Sequence, residues 1–312
     1  MDLIEKAAAK LKKQEEKSLV EKAAEKTATA DVTEEPVPAA KEESVASPGL
    51  TNTSLSQPAS KRSRTVEINL DRLKAMHILT GESEPTVTAE EFRLVKRSLL
   101  LNAFAKGDKA VDKGNLVLVS SSQPNEGKTF CAINLAMSMA IERDLTVLLV
   151  DADVNKPDIP NLLGIEKGKG LKGLVDVVAD ENVDLADCLL KTNIENLTLL
   201  PAGRKHHQTT ELLASGRMGN IVDEIAQRYP DRIIIIDSPP VLASSAASVL
   251  ALHVGQILFV VEAERTEEHQ LKEALSLVSS CKNISLLLNK AVSNFADKTF
   301  GKYYGYGHNH DR

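Results

Sequence analysis

The chain has 312 residues, with 38 Lys and Arg against 44 Asp and Glu and a formal net charge of -6. That is long enough for one α/β domain of roughly 200 to 250 residues plus tails, and too short for two full enzyme domains. No apolar run reaches the ~18 residues of a membrane-spanning helix. With no Trp, four Tyr and six Phe, composition also argues against a nucleic-acid groove of basic patches and stacked aromatics.

The start, MDLIEKAAAKLKKQEEK, interleaves charges and has no secretory apolar stretch, so a cytoplasmic location is expected. Residues 2–26 read as an exposed helix with a thin apolar stripe. From 27 to 64 the composition turns to Ala, Thr, Ser, Pro, Glu and Lys, too poor in large hydrophobes to offset ordering entropy. Residues 1–64 are therefore expected to be a helix and a disordered linker, and 65–297 the folded domain. Order begins near Val66 with a short strand or turn and a helix. A firmer helix follows to about Lys106, with Thr88 and Glu91 as a capping box and Phe92, Val95, Leu99, Leu100 and Phe104 at helical spacing.

Strands and helices then alternate. Strands are expected at 115–120, 145–151, 197–202, 232–237, 256–263 and 284–289, and helices at 127–142, 209–228, 244–252 and 266–279. Strands as continuously apolar as NLVLVS and RIIIID require a sheet covered on both faces. The expected fold class is α/β, a three-layer P-loop NTPase-like fold with a mostly parallel sheet that binds ligands at the carboxyl ends of its strands. Cys131, Cys188 and Cys281 lack CxxC spacing and are expected to be small buried hydrophobes, not a disulfide frame or zinc site.

The stretch Ser120 to Thr129, SSSQPNEGKT, lies between a strand and a helix. It matches the phosphate-loop consensus GxxxxGK[ST] at Gly127, Lys128 and Thr129, with Ser122 in place of the first glycine. Backbone N–H groups from Ser122 through Asn125, Glu126 and Gly127 to Phe130 would surround the β-phosphate of ATP. Lys128 would bridge the β- and γ-phosphates and the Thr129 hydroxyl would ligate Mg2+. Two acidic elements follow where such a fold needs them. Asp151 and Asp153 close one strand, paired at i and i+2 on extended chain, and Asp237 closes RIIIID, an apolar strand plus acid of the kind that holds Mg2+ through water.

With these motifs in order, the chain resembles the bacterial tyrosine kinases (BY-kinases) of the exopolysaccharide, exosortase-associated autokinase type, whose nucleotide site derives from P-loop ATPases. The similarity spans about 88–306: EEFRLVKRSLL, SSSQPNEGKT as Walker A, VLLVDADVNKP as Walker A', LPAGRKHHQTTELLAS, RIIIIDSPP as Walker B, LLLNK and a tyrosine-bearing tail. The resemblance implies that Lys128 and Thr129 bind nucleotide and metal, that Asp153 and Asp237 support the metal, and that Asp151 is the base toward a tyrosine hydroxyl. Asn289 in LLLNK either helps hold the adenine or caps a strand end. Where the family carries arginine after DxDx this chain has Asn155, followed by Lys156. The family's oligomer motif reads Glu90, Arg93, Lys96, with lysine at the last position, where it cannot form arginine's bidentate fork.

Tyr303, Tyr304 and Tyr306 cluster in FGKYYGYGHNHDR, and residues 298–312 are expected to be a flexible tail bearing the phosphate acceptors. The implied activity is tail phosphorylation in trans with Mg2+ and ATP, regulating exopolysaccharide synthesis or export. The implied partners are protein tyrosine substrates, further copies of the chain in a homo-oligomer or ring, and a membrane-bound polysaccharide chain-length adaptor that holds the protein at the inner membrane. Two alternatives share the motifs. One is a partition or cell-division ATPase switch, whose signature lysine is replaced here by Gln123; the other is an ATP-binding scaffold without kinase activity.

Overall fold

The computed structural model describes residues 64–81, 86–165, 171–204, 206, 209–213, 215–228 and 231–291. The expected N-terminal helix, nearly all of the linker and the tyrosine tail lie outside the described residues.

In chain order the elements are β1 (Arg64–Val66), α1 (Leu70–Ala75), α2 (Val87–Ala103), β2 (Leu116–Ser121), α3 (Lys128–Ala140), β3 (Thr146–Asp151), α4 (Ile159–Leu162), α5 (Leu174–Ala179), α6 (Leu185–Cys188), β4 (Leu190–Thr192) and β5 (Leu197–Leu200). Then come α7 (Thr209–Leu213), α8 (Gly216–Arg228), β6 (Arg232–Asp237), α9 (Ser245–Ala251), β7 (Gln256–Glu262), α10 (Glu268–Leu277) and β8 (Ile284–Asn289). The described strands form one eight-stranded sheet in the order β1-β4-β5-β3-β6-β2-β7-β8. Each neighbouring pair is parallel except the short β4–β5 pair. No helix among the described residues is long and apolar enough to cross a membrane.

Successive side chains on a strand point to opposite faces, and the central strands use both. Leu118, Leu148, Ile234, Ile236 and Phe259 join one buried cluster with α5, α8, α9 and α10. Val117, Val119, Leu149, Ile233 and Ile235 join the other with α1, α2 and α3. The three layers follow from strands whose central runs are apolar on both faces. Cys131, Cys188 and Cys281 are free and buried within these clusters, as their spacing suggested.

Two local expectations need correction. The N-cap of α2 is Thr86, whose hydroxyl accepts from the Ala89 amide at 3.1 Å; Thr88 lies inside the first turn and makes no capping box with Glu91. The expected helix 209–228 is two helices, because the Ser215 hydroxyl accepts from the Met218 amide and starts α8 afresh.

Candidate active site

β2 delivers the loop 122–127 to the N-terminus of α3, beside β6 and β7. The loop makes two left-handed turns, at Asn125 (φ 69°) and Gly127 (φ 95°). Gly127 has a second reason to be glycine: a Cβ there would lie 2.1 Å from Asn289 Nδ2. That amide donates to the Glu126 carbonyl at 2.8 Å, and Lys290 Nζ donates to the Asn125 carbonyl at 2.7 Å. The buried Glu126 side chain accepts from the Gln123 amide at 2.8 Å and from the Thr266 hydroxyl. After β6, the amides of Val241 and Leu242 donate to the Ser121 and Ser122 carbonyls. The phosphate loop is thus held from three sides before any ligand arrives. Through this bond Asn289 braces the loop, one of the two readings left open for it.

The acids are brought together by register. Asp151 on β3 pairs with Asp237 on β6, and Asp237 pairs with Val119 on β2, so the carboxylates cluster at the carboxyl ends of three adjacent strands. Lys128 Nζ, at the first position of α3, donates to Asp153 Oδ2 at 2.6 Å and stands 3.9 Å from Asp237 Oδ1. Burial alone would lower the Lys128 pKa, but Asp237, Asp153 and Asp151 more than offset it and the net shift is upward. Burial pushes Asp237 up to about 6, only partly opposed by Lys128 and a hydrogen bond to Thr129. Asp151 is raised well above the carboxylate range, first by burial and then by Asp237 and Asp153. One cation against three buried acids leaves a surplus of negative charge, the situation a divalent cation relieves. Among the described residues, Asp237 Oδ1 and Ser122 Oγ have no hydrogen-bond partner. Cys131, one turn into α3, is no nucleophile: burial, with Asp237, pushes its thiol up to about 12.

A cavity of about 370 Å3 opens over this cluster, lined among others by Asn125, Gly127, Lys128, Thr129, Asp153 and Pro239. Lys156 reaches over it and donates to Asn125 Oδ1 at 3.2 Å. A second cavity, of about 540 Å3, adjoins the other side of the loop between Gln123 to Glu126 and Glu262 to Gln270.

Of the residues expected from sequence, Lys128, Thr129, Asp153, Gly127 and Asn125 share the first cavity. Asp237 lies directly beneath it, within 4 Å of Lys128. Glu126 turns to the second cavity. The partly buried Phe130 ring packs against the core cluster on the α3 face of the sheet. Asp151 is fully buried and not on the cavity wall. Tyr303, Tyr304 and Tyr306 lie outside the described residues. Sequence reasoning gave no role to Thr266 and Asp158, which belong to no motif it used, nor to Lys290 and Pro239, which lie inside LLLNK and RIIIIDSPP without being singled out there.

The donor set suits a hard cation. Among the described residues no group of three or more His, Cys, Asp or Glu could hold a metal unaided. Carboxylates and one hydroxyl that leave most positions to phosphate oxygens and water are how Mg2+ is usually bound. Thr129, Asp153 and Asp237 are the residues that would hold it, and bound there it would neutralise charge on the phosphates.

Comparison with known proteins agrees with this geometry. The family model described as "AAA domain" matches residues 116–293. The tyrosine-protein kinase YwqD of Bacillus subtilis is 28% identical over 227 residues, covering 72% of this chain and 88% of that protein. The tyrosine-protein kinase wzc of Salmonella typhimurium is 30% identical over 196 residues, 63% of this chain; the chain spans only 26% of that longer relative. The crystal structure of the VpsO kinase domain superposes with a TM-score of 0.55 at 29% identity, covering 66% of this chain and 95% of that domain. The chain belongs to the AAA domain family, and its relatives there include bacterial tyrosine-protein kinases.

Proposed function

We propose that this chain is an ATP-dependent protein-tyrosine kinase that phosphorylates the C-terminal tyrosines of other copies of itself, and that this cycle regulates exopolysaccharide synthesis or export. The observation that carries the reading is the convergence of Lys128, Thr129, Asp153 and Asp237 on one cavity at the carboxyl ends of β2, β3 and β6. The kinase domain is 65–297, preceded by a linker and followed by the acceptor tail.

In this reading the triphosphate lies along the loop from Ser122 to Thr129, and the Lys128 ammonium exchanges Asp153 for phosphate oxygens. The nucleoside side extends into the adjoining cavity beside Glu126 and Thr266, over a loop that Asn289 keeps rigid. Phosphoryl transfer is mostly positioning and charge neutralisation. The tyrosine oxygen bonds to the γ-phosphorus, ADP leaves, and the phenolic proton passes to a carboxylate. Asp153 is the acid on the cavity wall; Asp151, the base implied by resemblance, lies behind it and keeps that role as a proposal. A membrane-bound adaptor of the polysaccharide chain-length type is the partner that would hold the enzyme at the inner membrane.

The test incubates purified protein with Mg2+ and ATP and maps phosphate by mass spectrometry, beside Lys128→Met and a triple Tyr→Phe tail. Phosphotyrosine at Tyr303, Tyr304 or Tyr306 in the parent and none in either variant is the expected result. ADP release without phosphotyrosine, even with a membrane adaptor fragment present, overturns it in favour of an ATPase switch.

A further inference from the structure

Two successive peptide units of the phosphate loop are gripped by their carbonyls from outside the first cavity. Lys290 Nζ donates to the Asn125 carbonyl at 2.7 Å, and Asn289 Nδ2 to the Glu126 carbonyl at 2.8 Å. Neither donor lines that cavity, whereas Asn125 and Gly127 do. The peptide bonds are trans, and in a planar trans peptide the N–H points opposite to the C=O. A carbonyl drawn away from the cavity therefore turns the amide of the next residue toward it. The amides concerned, of Glu126 and Gly127, donate to no group among the described residues. The left-handed backbone at Asn125 (φ 69°) and Gly127 (φ 95°) is also what lines up successive N–H groups in an anion-binding nest.

Lys290 is fixed in this position by more than one contact. It adopts φ 57°, in the left-handed region that non-glycine residues keep only where their surroundings determine it. Its ammonium also lies 3.1 Å from Glu262 Oε1. The Glu262 amide donates to the Thr266 hydroxyl at 3.0 Å, and that hydroxyl donates to the Glu126 carboxylate. Contacts thus run in a ring from Asn125 through Lys290, Glu262 and Thr266 back to Glu126, the next residue of the loop. Among the described residues only Lys290 donates to the Asn125 carbonyl.

We propose that Lys290 is a positioning residue for the nucleotide: by holding the Asn125 carbonyl outward it presets the Glu126 amide as a donor to the β-phosphate, as Asn289 does for the Gly127 amide. This rests on the nucleotide reading of the site and adds to it a residue that touches neither phosphate nor metal. Without Lys290 the peptide between Asn125 and Glu126 is free to turn, and the ligand has to order it on binding, which lowers affinity. Nucleotides that carry a β-phosphate feel that loss. AMP, which has none, does not.

The test titrates AMP, ADP and ATP, each with Mg2+, into the full chain and into Lys290→Ala and Lys290→Arg by calorimetry. Lys290→Ala should raise the dissociation constants for ADP and ATP ~10-fold, the contribution of about one charge-assisted hydrogen bond, and leave that for AMP unchanged. Lys290→Arg, whose guanidinium can still donate to the carbonyl, should restore most of the affinity. Amide NMR gives a second readout that decides the matter even where AMP binds too weakly to measure. On addition of ADP the Glu126 and Gly127 amide protons of the parent should both move downfield as they bond to phosphate. In Lys290→Ala the Glu126 shift should vanish, while the Gly127 shift, still set by Asn289, should persist. A parent that binds none of the three nucleotides overturns the nucleotide reading and this proposal together. A parent that binds ADP overturns the proposal alone if Lys290→Ala binds it equally well, loses AMP to the same degree, or keeps the Glu126 shift.

Discussion

Asp237 shows how the site's chemistry and the fold's stability oppose each other. Its pKa rises from the ordinary 3.8 to about 6 because its carboxylate has been taken out of water, with Lys128 and Thr129 compensating only in part. For an acid raised on folding, the native state binds more protons than the unfolded one between those two values, so stability falls as pH climbs from about 4 to 6. Above the folded pKa the whole penalty is present, on the order of 3 kcal/mol for a shift of about two units. Asp237→Asn should therefore melt higher than the parent at pH 7 and show a flatter pH dependence between 4 and 6, while losing Mg2+-dependent nucleotide affinity. Thermal melts at several pH values with a nucleotide titration check both halves; an Asn variant less stable than the parent at pH 7 contradicts the burial account. The neighbouring acids separate by kinetics. If Asp151 is the base, Asp151→Asn lowers kcat ~100-fold or more with ATP affinity retained, whereas Asp153→Asn weakens Mg2+ and ATP binding itself. The reverse pattern would move the base to Asp153.

Among the elements, α2 and its contact with α3 carry the next prediction. Lys96 crosses from one helix to the other, satisfying the Ser138 carbonyl and Glu142 with its ammonium nearly out of solvent. Lys96→Ala removes both hydrogen bonds and leaves a buried carbonyl unpaired, so it should cost about 1–3 kcal/mol in urea unfolding while leaving oligomer mass unchanged. A change in mass without a change in stability would restore Lys96 to an interface.

The same elements show what was legible in the sequence. β2, β3, β6 and β7 could be read because each holds an unbroken run of four or more apolar residues, a pattern that suits a doubly covered strand. The loop at 122–129 could be read because its spacing is set by phosphate geometry. β4 could not: three residues, Leu190 to Thr192, carry no period, and only pairing with β1 and β5 makes them a strand. The cap of α2 was misplaced because PTVTAEE offers two threonines, and the winner is decided by which hydroxyl meets a free amide. The Glu126–Thr266 brace joins residues 140 apart, and nothing local in either segment announces the other.

For the whole molecule the question is which copy's tail meets which copy's site. The described chain leaves β8 at Asn289 and Lys290, which bond the carbonyls of Glu126 and Asn125 in the phosphate loop. An extended chain spans about 3.3–3.6 Å per residue, and Tyr303 is thirteen residues beyond Lys290. Length alone therefore permits transfer within one chain, and transfer between chains must be demonstrated by complementation. Mixing Lys128→Met, with its tyrosines intact, and the triple Tyr→Phe tail variant, with its site intact, leaves every chain unable to modify itself. Phosphotyrosine should then appear on the Lys128→Met chains alone, at a rate rising with the concentration of the other variant, as a reaction between molecules requires. Weighing the phosphorylated chain by intact mass spectrometry identifies it without fragmentation. A parent enzyme whose rate per molecule is independent of concentration, together with a silent mixture, would mean that each tail turns back into the site from which it springs.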